Sequence, residues 1–127
     1  MKLQADRMEG LNAIARHSAE GVIVNGVEYR ESVLVPWRGD VVRWAVHDFA
    51  QLGERDFAAI AAIGPELVVF GSGVRIRFPM PAWLQPLIAR RIGLETMDTA
   101  AACRTYNVLL AEGRSVVAAL LFESREP

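Results

Sequence analysis

Gly71-Ser72-Gly73, Asp98-Thr99 and Cys103 are the residues whose types and spacing bear on chemistry. Glycines around a hydroxyl let backbone amides crowd toward an anion. A helix start adds unpaired amides and a favourable dipole. The glycine loop follows one apolar run, Glu66 to Phe70, and Asp98-Thr99 follows another, Leu94 to Met97. Ligands of α/β sheets gather beyond the carboxyl ends of strands. If the two runs are neighbouring strands, Gly71, Ser72, Gly73, Asp98 and Thr99 share one rim. Arg75, Arg77 and Arg104 stand close enough in sequence to add positive charge. The same residues also serve as turn formers and a helix cap, tasks found in every domain. Asp98 repels an anion unless it points away.

More specific chemistry is not spelled out. The glycine loop lacks the third glycine of a dinucleotide fingerprint and leads into an expected strand, and the chain has no P-loop. Cys103 is the one thiol. A nucleophile there wants a histidine base and an electropositive, exposed setting. The helical stripe instead puts Cys103 on the apolar side, where cysteine behaves as a small hydrophobe. Arg104 and the nearby helix start keep the reactive alternative open. His17 and His47 lack the close partners of a zinc site. No metal or cofactor is expected. Arg90-Arg91 suits the negative end of a helix.

Those residues depend on a strand–helix–strand plan between Leu94 and Phe122. Ala102, Cys103, Tyr106, Leu109 and Leu110 recur at helical spacing between a polar cap, Asp98 or Thr99, and Gly113. Val116 to Phe122 is uniformly apolar, as in a strand covered on both faces. Upstream, Glu54 to Ile63 and Trp83 to Arg91 carry helical patterns. Gly64-Pro65 stops the first helix and Gly93 the second. Val74 to Phe78 alternates with Arg75 and Arg77 and reads as a half-exposed strand. In the first half, Asn25-Gly26 marks a hairpin between Val22–Val24 and a strand from Val27 to about Val35. Val41 to Val46 is a third strand candidate. Residues 1–20 are mixed and polar. Trp83 lies beside its helical stripe and should be partly exposed.

The expected fold is therefore α/β: one compact domain over residues 1–127, with a mixed central sheet, an N-terminal β-hairpin layer and two to three packed helices. At 127 residues and 52% hydrophobic content the chain can bury a proper core. Its 14 basic and 15 acidic side chains nearly cancel, which argues against a general nucleic-acid binder. A single cysteine makes no internal disulfide. The first six residues, Met1 to Asp6, lack the apolar core of a signal peptide, and no run has the length of a membrane span. A cytoplasmic protein is the expectation.

Gly71-Ser72-Gly73, Met97-Asp98-Thr99, Ala102-Cys103-Arg104-Thr105-Tyr106-Asn107 and Glu112-Gly113-Arg114 together resemble one small family. It is the family of single-domain α/β proteins that includes mitochondrial respiratory complex I assembly factor 3. Bacterial proteins of unknown function and an adipogenesis-associated animal protein are also members. The resemblance begins at Met1-Lys2-Leu3 and is strongest from Pro65 to Leu121. Position 72, often threonine in the family, keeps a hydroxyl as Ser72. The resemblance implies a mixed sheet with an extra β layer, and a non-catalytic interaction or assembly factor with protein partners. Homo-oligomers remain open. The alternative is a small-molecule or anion-binding enzyme using the rim of Gly71–Gly73 and Asp98–Thr99.

Overall fold

The structure is a computed structural model in which residues 10–123 are described; the Met1-Lys2-Leu3 part of the resemblance lies outside them. Among the described residues, eight strands and three α-helices follow one another. They are β1 (Ile14–His17), β2 (Val22–Val24), β3 (Val27–Tyr29), β4 (Val33–Pro36), β5 (Val42–Arg43), α1 (Glu54–Ile63), β6 (Leu67–Gly71), α2 (Gln85–Ala89), β7 (Gly93–Met97), α3 (Thr99–Ala111) and β8 (Val116–Leu120). β1, β2 and β3 make a small antiparallel sheet. The other five form a mixed sheet in the order β5-β4-β8-β6-β7. β8 runs parallel to β6 and antiparallel to β4, and β6 runs parallel to β7. The α/β plan of the second half and the extra β layer of the first are both present.

The apolar run of β8 is central, as its composition demands, and each of its residues is buried. Alternate side chains feed two cores. Val116, Ala118 and Leu120 meet Cys103, Tyr106 and Leu110 of α3 on one face, joined by Val22 and Val24 of the small sheet. Val117 and Ala119 meet Phe57 and Ile60 of α1 and Leu87 on the other. Each large side chain so buried contributes about 1.5–3 kcal/mol. α3 starts at Asp98, whose carboxylate accepts the Ala101 N–H at 2.9 Å. It ends at Gly113, where φ is +86°. There the Gly113 and Arg114 amides close back on the Leu110 and Leu109 carbonyls. Pro86 falls in the first turn of α2, and Trp83 is half-buried with its ring stacked on Phe57.

Several elements depart from the sequence pattern. Val27 to Val35 is not one strand: it breaks after Tyr29 and crosses to the larger sheet. Buried Ser32 pins that crossing by accepting the Phe122 N–H at 2.9 Å. Within Val41 to Val46 only Val42–Arg43 pairs, because Trp44 and Val46 turn into the second core. Arg91, with φ +56°, makes the left-handed turn after α2, and Gly93 opens β7. Ile14–His17, unassigned in the sequence pattern, is β1.

The small sheet is tied to α3 by polar side chains. The Asn107 amide accepts the Ile14 N–H at 2.9 Å and donates to the Ile14 C=O at 2.8 Å, as a neighbouring strand would. The Tyr106 hydroxyl donates to the Asn12 carbonyl at 2.8 Å, with the Pro36 carbonyl at 3.1 Å. Replacing Asn107 by alanine should strip both Ile14 backbone groups of their partners. Urea unfolding should show a loss of about 1–2 kcal/mol; an unchanged midpoint would mean that water substitutes fully for the amide.

Candidate functional site

β6 and β7 are parallel neighbours with Gly71 opposite Met97, so the glycine loop and the start of α3 do meet at one rim. Their approach is close. A Cβ on Gly71 would stand 2.8 Å from the Thr99 Cα and 3.0 Å from the Ala102 Cβ. Thr99 is buried there. Its Oγ1 accepts the Gly73 N–H at 2.8 Å and donates to the Leu121 carbonyl at 2.9 Å. The Thr99 N–H returns to the Gly73 carbonyl, and the Ser72 N–H binds the Met97 carbonyl, each at 2.9 Å. With Asp98 holding the Ala101 amide, the Ser72, Gly73, Thr99 and Ala101 N–H groups of the rim are engaged within the protein.

Ser72 is fully buried and shapes the loop that follows. Its Oγ accepts the Arg77 N–H at 2.7 Å and donates to the Arg75 carbonyl at 2.8 Å. Those bonds coil residues 72–77, so Val74 to Phe78 is not a strand. At Val74, Ile76, Arg77 and Phe78 the expected alternation is inverted, while Arg75 stays exposed. Arg77 turns inward: Nη2 donates to the Ser72 carbonyl at 2.7 Å and pairs with Glu123 at 2.6 Å. The guanidinium also lies 4.7 Å from the centre of the Phe49 ring. Val74 and Phe78 point outward, 77% and 70% exposed, and Ile76 and Met80 are exposed too. Burial alone would raise the Glu123 carboxyl. The Phe49 amide and the bonds and charge of Arg77 outweigh it and hold the group below the usual carboxylate range.

Beside this loop an open cleft of about 740 Å³ runs between the small sheet and the rim. Leu121 and Phe122 line it with Thr99 and Ala100, while Val74 and His17 also border it. Asp98 and Thr99 line it as well. Arg75 and Arg104 are exposed but do not line it. His47 borders an adjoining recess. Among the described residues no three histidine, cysteine, aspartate or glutamate side chains gather as metal ligands. Arg77 and Glu123 are the pair that the sequence pattern hides, because a strand alternation assigns Arg77 to solvent. Buried Asn12 is a second such residue. Its amide reaches the Pro36 and Gly39 carbonyls at 2.9 and 2.8 Å.

The fold has counterparts. A family model described as "Protein of unknown function (DUF498/DUF598)" matches residues 14–121. The chain belongs to this family. A relative from Bos taurus, named NADH dehydrogenase [ubiquinone] 1 alpha subcomplex assembly factor 3, is 35% identical over 111 residues. The match covers 85% of this chain and 59% of that protein, so the chain spans about three-fifths of the relative's length. A crystal structure of a Bordetella parapertussis protein superposes with a TM-score of 0.83 at 36% identity, covering 88% of this chain and 96% of its own. A solution structure from Bordetella pertussis, titled a Mth938-like domain, has a TM-score of 0.79 at 31% identity, covering 91% and 89%.

Cys103 sits in the α3 core at 0% exposure, and burial pushes its thiol up to about 12 against the small opposing pull of Arg104. The unfolded chain loses this proton near 9 while the folded chain keeps it. Stability should therefore be complete below that pH and fall as pH rises through the window from 9 toward 12. Native-state alkylation should be slow, and Cys103→Ala should remove the cysteine-specific part of the pH slope. Rapid modification of the folded protein near neutral pH would contradict the packing.

Proposed function

We propose that this protein is a non-catalytic assembly factor that binds components of a respiratory complex while they are being put together, acting in the cytoplasm. Family membership and the name of the Bos taurus relative support the assembly role. The observation in this chain that carries the reading is the inverted loop. Val74, Ile76, Phe78 and Met80 are left in solvent, with Val74 at the border of the cleft, while an arginine takes the inward position. Burying each such side chain would stabilise an isolated chain by about 1.5–3 kcal/mol. Leaving four of them out favours a surface built for a partner. No helix among the described residues is long and apolar enough to cross a membrane. The partner is reached from the protein's own surface.

The small-molecule reading draws on the cleft beside Asp98 and Thr99. Its lining among the described residues holds no arginine or lysine for an anion, since Arg75 and Arg104 stay outside it. Cys103 also offers no thiolate at neutral pH.

Affinity purification from native cells should recover respiratory-complex subunits or other assembly proteins with this chain. The double variant V74D/F78D should lose them while melting normally, because exposed substitutions change stability by about 0.5 kcal/mol or less. Recovery of the chain alone, with normal complex assembly in a deletion strain, would refute the respiratory role. Partner retention by the variant would move the contact elsewhere.

A further inference from the structure

β7 lies at the outer edge of the larger sheet, away from the residues that line the cleft. Among the described residues, β7 pairs with β6 on one side and with no strand on the other. The Gly93 N–H donates to the Glu66 carbonyl, and the Met97 carbonyl accepts from Ser72. Odd-numbered residues thus direct their backbone groups at β6. By strand alternation, Leu94 and Thr96 direct their N–H and C=O groups at the open edge.

The other edges are closed or short. β5 has two residues and β3 has three. The edge of β1 is occupied at Ile14 by the Asn107 amide. β7 runs for five residues with no proline, bulge or lysine, the usual devices that blunt an edge. Its one charge is Glu95, which is exposed.

That charge selects the occupant. A second copy pairing antiparallel over the full length of β7 would bring Leu94 opposite Thr96 and Glu95 opposite Glu95. The two carboxylates would then share one face in a close, non-hydrogen-bonded pair, which is unfavourable. A strand with a basic residue at that position meets no such repulsion.

We propose that the β7 edge receives an extended segment of a different protein, paired antiparallel, with lysine or arginine opposite Glu95. The backbone amides and carbonyls of Leu94 and Thr96 supply affinity, and Glu95 supplies selection against self-association. The inference rests on the interaction reading for its use in the cell, but its test does not require the cellular partner.

The probes are two synthetic peptides: one copies residues 92–98, and the other is the same with lysine in place of the glutamate. Each is titrated into the full chain and followed by amide NMR and hydrogen exchange. The lysine peptide should shift and protect the Leu94 and Thr96 amides, leaving those of Glu95 and Met97 little changed. The glutamate peptide should bind about fivefold more weakly or worse, and added salt should narrow the gap. Thr96→Pro deletes an outward N–H that β6 does not use, and should abolish binding. Glu95→Lys should reverse the peptide preference, and serves alone if the proline variant fails to fold. Unperturbed Leu94 and Thr96 amides at millimolar peptide would overturn the edge proposal. Equal binding of both peptides would overturn selection by Glu95. Binding here with no respiratory proteins captured would retire only the respiratory reading. Capture with no peptide binding would retire only the edge.

Discussion

The Thr99 hydroxyl joins the ends of three elements in one buried spot. It holds the loop after β6 through the Gly73 amide, the end of β8 through the Leu121 carbonyl, and the first turn of α3 to which it belongs. The arrangement needs Gly71, because a side chain there would collide with the Thr99 backbone. Two buried hydrogen bonds are worth about 1 kcal/mol each on balance, but leaving either backbone group unpaired would cost more. From this knot the direction of α3 follows, and with it the faces that Cys103, Tyr106 and Asn107 present. The rim is thus first a joint of the scaffold. Its amides are spent on holding the sheet to the helix.

A second set of polar contacts fastens the small sheet to α3. Tyr106 and Asn107, adjacent on α3, reach the Asn12 carbonyl and both Ile14 backbone groups. Asn12 in turn holds the end of β4 and accepts the Asn25 amide from the hairpin turn. One helical turn therefore fixes the β layer to the core and creates the far wall of the cleft, where His17 and Ser18 lie. The cleft is a consequence of how two sheets meet around α3.

The loop after Ser72 shows the opposite priority. Packing alone would turn Phe78 and Val74 inward and Arg77 out. A charge-assisted pair with Glu123, a bond to the Ser72 carbonyl and the Phe49 ring hold Arg77 in place. The arrangement is not optimised for the free chain: the Arg77 Nε is buried without a partner among the described residues. Stability is given up at a surface patch and retained at the joint, as expected where exposed apolar groups serve recognition.

By itself the sequence determined everything that rests on local pattern. The helical stripe of Ala102, Cys103, Tyr106, Leu109 and Leu110, a polar cap at Asp98 or Thr99 and the Gly113 stop required α3, and the structure gives the cap to Asp98. Asn25-Gly26 required the hairpin, and the uniform run from Val116 required a central strand. Neighbouring β6 and β7 ends were legible as a conditional, since each follows its own strand. Only the tertiary structure decided that Arg77 faces inward, because its partner Glu123 is 46 residues away. A longer separation hid β1, whose edge is met at Ile14 by Asn107 in α3, 93 residues on. Trp44 likewise leaves its strand pattern for a core built from later residues. Period and capping are written in adjacent residues. Which charge finds which partner, and which edge stays open, is settled when distant segments close on one another.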